Sequence, residues 1–412
     1  MKQMSFFDGT QKFRNDKPIR LIELFAGYGS QALALKYLGV QFEHYRISEW
    51  ATKSIQAYKD LHSTDDRTDY SQGLTPAEIK VWLTGKISTD YSTPATAEQI
   101  GRFSEKTVRT LYNNMRATRN IGSITQATAQ DLAIVNTDKF LYIMTYSFPC
   151  QDLSAAGNGA GMSKGSGTRS GLLWEVERLL KETARGGGYE LPQILLMENV
   201  PQVIGGGAIA DFVQWREFLE GLGYKNYTQL MNAKGYAIPQ NRNRCFMVSI
   251  LGDYDYIFPP ELPLQYRLKD LLERRVDEKY YLSDRAVEMF IESTAKHQAK
   301  GNGFKFEPTN GGGYAKSVLT RPGERACDNF IIEQRDEVRA DNGLRGNPNG
   351  ERLQGVRQPS NERRGGEIAG GADGIMVGKS PSFQQGPLKD VSRAIMTDGM
   401  NGVIEWQKNS KS

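Results

Sequence analysis

Between residues 20 and 250, short apolar runs alternate with stretches whose apolar residues recur at helical intervals. The runs at 21–25, 42–47, 140–146, 194–197 and 245–250 read as strands, and the stretches 30–38, 50–59, 172–182 and 210–222 as helices. Strands this apolar need cover on both faces, which intervening helices supply. The predicted fold class is therefore α/β, with a doubly wound, mainly parallel sheet. Ligands of such sheets lie beyond the strand C-terminal ends. The turn at 27–30, Cys150 and Glu198 each follow a strand, so all three are expected on one rim.

Elsewhere the rhythm breaks. Residues 62–120 form a polar, helix-rich insert, with helices expected at 98–101 and 105–119, and read as a surface excursion. After Pro259-Pro260 the character changes, although 268–272 and 280–291 still look helical. From 301 to 386 the chain is rich in Gly, Asn and Arg, a composition that tends toward disorder. Yet Phe304, Phe306, Tyr314, Val318, Phe330-Ile331-Ile332 and Ile375-Met376-Val377 are spaced like short strands between turns. The expected organisation is a larger domain at 1–262, a smaller loop-rich domain at 263–385, and a return segment with tail at 386–412.

Composition mainly excludes. A chain of 412 residues can hold two domains and a substantial core. Its 52 basic and 48 acidic side chains give a formal +4, so no global field announces a polyanionic partner and charge must be read locally. Cys150, Cys245 and Cys327 have no paired spacing, and His44, His62 and His297 complete no ligand set, so no metal is expected. Free thiols suit a reducing compartment. No run approaches the roughly 18 apolar residues of a membrane span, and the polar start resembles no signal peptide, so a cytoplasmic protein is expected.

Four islands carry the chemistry. The first, Phe25-Ala26-Gly27-Tyr28-Gly29-Ser30, joins a strand to a helix, and its glycines let backbone approach a ligand at the helix N-terminus. Alone it could be only a tight connection. The next strand, however, ends in Ser48-Glu49-Trp50, where a carboxylate can hold a ribose and an indole can face adenine. Glu49 by itself could equally be a solvated charge at a helix start. Both features in register point to a nucleoside cofactor.

The other islands are Tyr146-Ser147-Phe148-Pro149-Cys150-Gln151, Glu198-Asn199-Val200 and Gln240-Asn241-Arg242-Asn243-Arg244. They suit covalent attack on an electron-poor, anion-linked heterocycle. Pro149 fixes a turn that exposes Cys150, whose thiol must be activated from its ordinary value of about 8.5. A buried structural cysteine describes Cys245 better, because it opens an apolar strand while Cys150 adjoins a polar loop. Glu198 is placed to donate a proton, with Asn199 buttressing its loop. Arg242 and Arg244 share a face of an extended segment and suit a phosphate, though solvated strand-end arginines would look the same. The segment 156–170 has too little apolar surface to pack and reads as a mobile lid.

Together the islands resemble the cytosine-C5 DNA methyltransferase family, across residues 19–251. The resemblance implies a class I, Rossmann-like methyltransferase domain that uses S-adenosylmethionine. Cys150 would add to C6 of a flipped-out cytosine, Glu198 would protonate N3, and Arg242 and Arg244 would serve the target nucleotide, Arg244 reaching it directly. The cofactor pocket would comprise Phe25, Gly27, Gly29, Glu49, Trp50, Ser123, Ile124, Pro149 and Leu172. Ser123 stands where the family carries an acidic residue in a Gly-Asp-Ile, so its contact to adenine should be weaker.

By the same resemblance the partner is double-stranded DNA, within bacterial or phage restriction-modification. The second domain would recognise the target through Arg321, Arg325, Arg335, Arg339, Arg345, Arg352, Arg357, Arg363 and Arg364. The family's closing helix and its Gly-Asn-Ser/Ala-Val segment have no convincing match before the end at Asp398–Trp406, which suggests completion by a second polypeptide. Two alternatives stay open at this point: an RNA cytosine-C5 methyltransferase, and a catalytically dead DNA-binding module.

Overall fold

The computed structural model describes residues 15–150, 152–153, 161–273, 276, 280–301, 305–318, 323, 325–332 and 356–357. Among these, the chain divides into two compact units. The first comprises 15–231 and 243–260, and the second 232–242 with the described residues from 261 onward.

The first unit is built on β1 (Ile19–Leu24), α1 (Ser30–Tyr37), β2 (Phe42–Ser48) and α2 (Thr52–His62). The insert adds α3 (Pro76–Leu83), α4 (Ala97–Gly101) and α5 (Glu105–Ala117). Then follow α6 (Ala129–Leu132), β3 (Leu141–Tyr146), α7 (Leu173–Ala184), β4 (Ile194–Asn199), α8 (Ile209–Gly221) and β5 (Tyr224–Asn232). After the two-residue β6 (Gln240–Asn241) of the second unit, β7 (Asn243–Leu251) returns to the first.

One six-stranded sheet runs in the order β2-β1-β3-β4-β7-β5. The pairs β1–β2, β1–β3 and β3–β4 are parallel, whereas β7 runs antiparallel to β4. Alternate residues feed two cores, as strand pleating requires. Ile22, Leu24, Tyr142, Met144, Tyr146, Leu195, Met197, Cys245 and Met247 face one core, and Ile19, Leu21, Leu141, Ile143, Ile194, Val248 and Ile250 the other. Trp215 of α8 anchors the larger core. It is fully buried, its indole N–H donates to the Tyr146 hydroxyl at 3.2 Å, and the two rings meet edge to face. Removing a side chain of that kind costs about 3–5 kcal/mol.

The insert is more than a surface excursion. Capping boxes at Thr75/Glu78 and Thr96/Gln99 start α3 and α4, and the Ser104 hydroxyl caps α5. Ile79, Leu83, Ile87, Ile100, Val108, Leu111 and Met115 then bury a core of their own with Ile55 of α2. The strand β5 was not foreseen, because only Tyr224 of its nine residues is buried.

The second unit holds α9 (Asp284–Ala299), while β8 (Ala315–Lys316), β9 (Ile331–Ile332) and β10 (Val356–Arg357) join β6 in two small ladders, β6–β8 and β9–β10. Phe290, Phe306 and Phe330 pack with ring centroids 5.1–5.4 Å apart. The expected helix at 268–272 is a single 3-10 turn, Leu268–Leu271. Phe304, the strand at 375–377, the chain end at 398–406 and, of the nine arginines expected to recognise the target, all except Arg325 and the backbone of Arg357 lie outside the described residues. Among the described residues no helix is long and apolar enough to cross a membrane, and no group of three His, Cys, Asp or Glu could hold a metal ion.

Candidate active site

Sheet register sets the site. Ser48 pairs with Leu24, Leu24 with Tyr146, Tyr146 with Met197, and Met197 with Met247, a single row across five strands. The 25–29 turn, Glu49, Cys150 and Glu198 all begin within four residues after that row. Arg244 lies three residues before its end of the row. Because β7 runs antiparallel, its start meets the end of β4.

At the β1 end the chain turns sharply. Phe25 has φ 57°, a left-handed conformation uncommon for a bulky residue, and Gly27 and Gly29 follow at φ 56° and 81°. A Cβ on Gly29 would stand 2.4 Å from His62 Nε2 and 2.6 Å from Tyr58, so only glycine fits. A Cβ on Gly27 would meet nothing within 4 Å, so the turn faces open space there. The Tyr28 carbonyl accepts from His62 Nε2 at 2.8 Å. Burial lowers the His62 pKa to about 4, keeping the ring neutral with its proton on Nε2. Beneath the turn, buried Glu23 accepts from the Tyr58 hydroxyl at 2.7 Å and from the Ala32 N–H at 3.1 Å, while burial raises its pKa to about 7.

Glu49 is held by backbone N–H groups. Oε2 accepts from the Gly27 N–H at 2.8 Å and Oε1 from the Ala51 N–H at 2.7 Å. Burial raises its pKa to about 7, against the pull of those bonds. Its backbone is clamped by Asn120, whose Oδ1 accepts from the Glu49 N–H at 3.1 Å and whose Nδ2 donates to the Glu49 carbonyl at 2.9 Å. Asn120 Oδ1 also accepts from the Gly122 N–H at 2.8 Å, which fixes the start of the segment leading to Ser123. Asn120 was not foreseen as a site residue; its only sequence signal is its place at the head of that segment. Ser123 is buried with its hydroxyl 2.9 Å from that of Thr125, and Ile124 packs into the larger core. Trp50 is half-buried.

At the β3 end, the Asn199 Nδ2 donates to the Phe148 carbonyl at 3.0 Å and the Ser170 hydroxyl to the Pro149 carbonyl at 2.8 Å. The Leu153 N–H donates to the Cys150 carbonyl at 3.0 Å. Cys150 is thus a half-buried thiol on a turn pinned from three directions. Cys245 is its opposite: fully buried within β7, its thiol is pushed up to about 12 by burial and, secondarily, by the charge of Glu198. Leu172 ends the 3-10 turn Ser170–Leu172 and packs against the larger core.

Glu198 and Arg244 form an ion pair, Nε to Oε1 at 2.9 Å, with both side chains about one-fifth exposed. Arg244 Nη1 also donates to the Asn243 carbonyl at 2.8 Å. Arg242 falls in the second unit, between β6 and β7. Its N–H is bonded to Asn232 Oδ1 and the Gln240 carbonyl, so the island is not one uninterrupted strand.

The model of the family described as C-5 cytosine-specific DNA methylase matches residues 99–364. The chain belongs to that family. This methylase is similar to the Type II methyltransferase M2.ScrFI of Lactococcus lactis subsp. cremoris, 36% identical over 274 residues, 65% of this chain and 71% of the relative. It is also similar to the orphan methyltransferase M.SssI of Spiroplasma monobiae, 34% identical over 65% of this chain and 68% of the relative. Among solved structures, the S. pombe Dnmt2 methyltransferase aligns over 78% of each chain at 15% identity and a TM-score of 0.47. The family's methyl donor is S-adenosylmethionine. The methylase offers features that fit a nucleoside of this kind: the open space at Gly27 and, beside it, an acceptor carboxylate at Glu49.

Proposed function

We propose that this methylase transfers a methyl group from S-adenosylmethionine to C5 of a flipped-out cytosine in double-stranded DNA, through a covalent bond from Cys150. The observation that carries the proposal is the shared rim, with a pinned, half-buried thiol between a nucleoside-type turn and a carboxylate–guanidinium pair. When bound, S-adenosylmethionine supplies an electrophilic methyl group. Phe25, Gly27, Gly29, Glu49, Trp50, Ser123, Ile124, Pro149 and Leu172 hold it, with Glu49 accepting from the ribose hydroxyls.

The chemistry of the base is assigned as follows. C5 of cytosine is too weak a nucleophile on its own. The Cys150 thiolate adds to C6, forming an S–C6 bond, while Glu198 delivers a proton to N3 and electron density moves to C5. After C5 is alkylated, a base removes its proton, the S–C6 bond breaks, N3 returns its proton to Glu198, and thiolate and aromatic ring are regenerated. Arg244 orients Glu198 and offers N–H donors to the pyrimidine carbonyl, and Arg242 contacts the target nucleotide. The second unit carries target recognition. A stacked base cannot reach such a thiol, which is why the target leaves the helix.

Duplex DNA carrying 5-fluorocytosine tests this. Fluorine at C5 cannot leave as a proton does, so the wild-type chain should accumulate a covalent adduct with S-adenosylmethionine present. Cys150→Ser should form no adduct and lose at least about 10³-fold in methyl incorporation, yet bind the cofactor within about twofold. Undiminished methylation by the serine variant would sink the proposal.

A further inference from the structure

Besides the Asn120 clamp, the insert between α2 and β3 meets the cofactor rim at a second place, the turn that follows Ser88. Ser88 forms a parallel bridge with Ala51; its N–H donates to the Trp50 carbonyl at 2.6 Å, and its carbonyl accepts from Thr52 at 3.1 Å. The turn that follows is therefore fixed beside the end of β2, next to Glu49. Asp90 organises it: Oδ1 accepts from the N–H groups of Ser92 (2.8 Å) and Thr93 (2.9 Å) and from the Ser88 hydroxyl (3.0 Å). Oδ2 accepts from the Thr93 hydroxyl at 2.8 Å.

At the top of this turn stands Tyr91, with φ 63° and 45% exposure. A bulky residue in the left-handed region is strained, and such strain collects at functional sites. The ring is no part of the insert's own core. Burial and then the Glu49 carboxylate raise its phenol above the ordinary value, so the ring lies within electrostatic reach of Glu49. The neighbouring Ser92 Oγ accepts from Arg169 Nη1 at 3.3 Å. Arg169 precedes Ser170, whose N–H bonds Asp152 and whose hydroxyl bonds the Pro149 carbonyl beside Cys150.

We propose that Tyr91 forms the outer wall of the nucleoside site, its ring covering the cofactor above Glu49, with Ser92 and Arg169 linking that wall to the cysteine loop. The inference rests on the cofactor reading above and adds to it a residue of the insert. A partly exposed aromatic ring in this position has a π-face and a hydroxyl to offer a nucleoside.

The test compares Tyr91→Gly and Tyr91→Phe in the full chain, with calorimetric titration of S-adenosylmethionine, steady-state kinetics and thermal melting. Glycine tolerates the positive φ, so Tyr91→Gly should not lower Tm. It should raise the Kd and the KM for S-adenosylmethionine about tenfold or more, by loss of stacking, with kcat at saturation within about twofold. Tyr91→Phe should stay within about threefold in Kd. A Tyr91→Gly chain that binds as tightly as wild type, or that loses affinity only with a parallel fall in Tm, overturns the role of Tyr91. Failure of the wild-type chain to bind the cofactor overturns the underlying cofactor reading as well.

Discussion

Glu49 and Glu198 end two strands of the same sheet and are held by opposite means. Glu49 has backbone N–H groups on both oxygens and burial that raises its pKa to about 7. Glu198 lies against a guanidinium at 2.9 Å in a partly open setting. Backbone donors belong to a rigid turn and fix a carboxylate in one place, which suits the binding of neutral hydroxyls. An arginine side chain on a neighbouring strand orients a carboxylate while leaving it free to adjust to a charged, changing substrate. On the proposed function, affinity belongs to one end of the rim and turnover to the other.

The largest expected effect breaks that division if it appears in the wrong constant. Glu198→Gln should lower kcat by about 10²–10⁴ through loss of a positioned acid, with the Kd for S-adenosylmethionine within about twofold. A comparable loss of cofactor affinity would erase the distinction. Next, Glu49→Gln should raise the KM for S-adenosylmethionine about 10–100-fold, as expected for losing a charge-assisted hydrogen bond, with kcat at saturation nearly unchanged. Steady-state kinetics on both substrates separates the two. The smallest effect is in pH. Glu49 accepts best when ionised, and its pKa in the free chain is raised to about 7. Cofactor affinity should therefore strengthen by about tenfold from pH 6 to pH 8, and fall as the pH drops through 7. Calorimetry across that range, with Glu49→Gln as the flat control, checks the sign.

Much of the sheet was legible because its strands are buried on both faces and read as unbroken apolar runs. β5 was not, because its Lys225, Asn226, Thr228 and Gln229 interrupt the run. The insert's core was hidden for a related reason: its apolar residues are spread thinly through polar sequence and converge only when α3 and α5 pack. Cys150 and Glu198 stood out because each closes an apolar strand. Asn120 did not, since it acts on the backbone of Glu49 across 71 residues of chain. Tyr91 was equally silent, because its position depends on a left-handed turn and a bridge to Ala51. The pairing of Arg242 with Arg244 assumed one continuous strand, but β6 stops at Asn241 and β7 starts at Asn243.

The reversed direction of β7 has a consequence for how such a molecule can diversify. A parallel strand in that slot would deliver its last residues to the rim and lead away into a helix. The reversed strand instead delivers its first residues, directly after the excursion through 232–242. Segments grafted between Met231 and Asn243 would change only the chain that leads into β7, while the Arg244 guanidinium itself stayed anchored to the host framework.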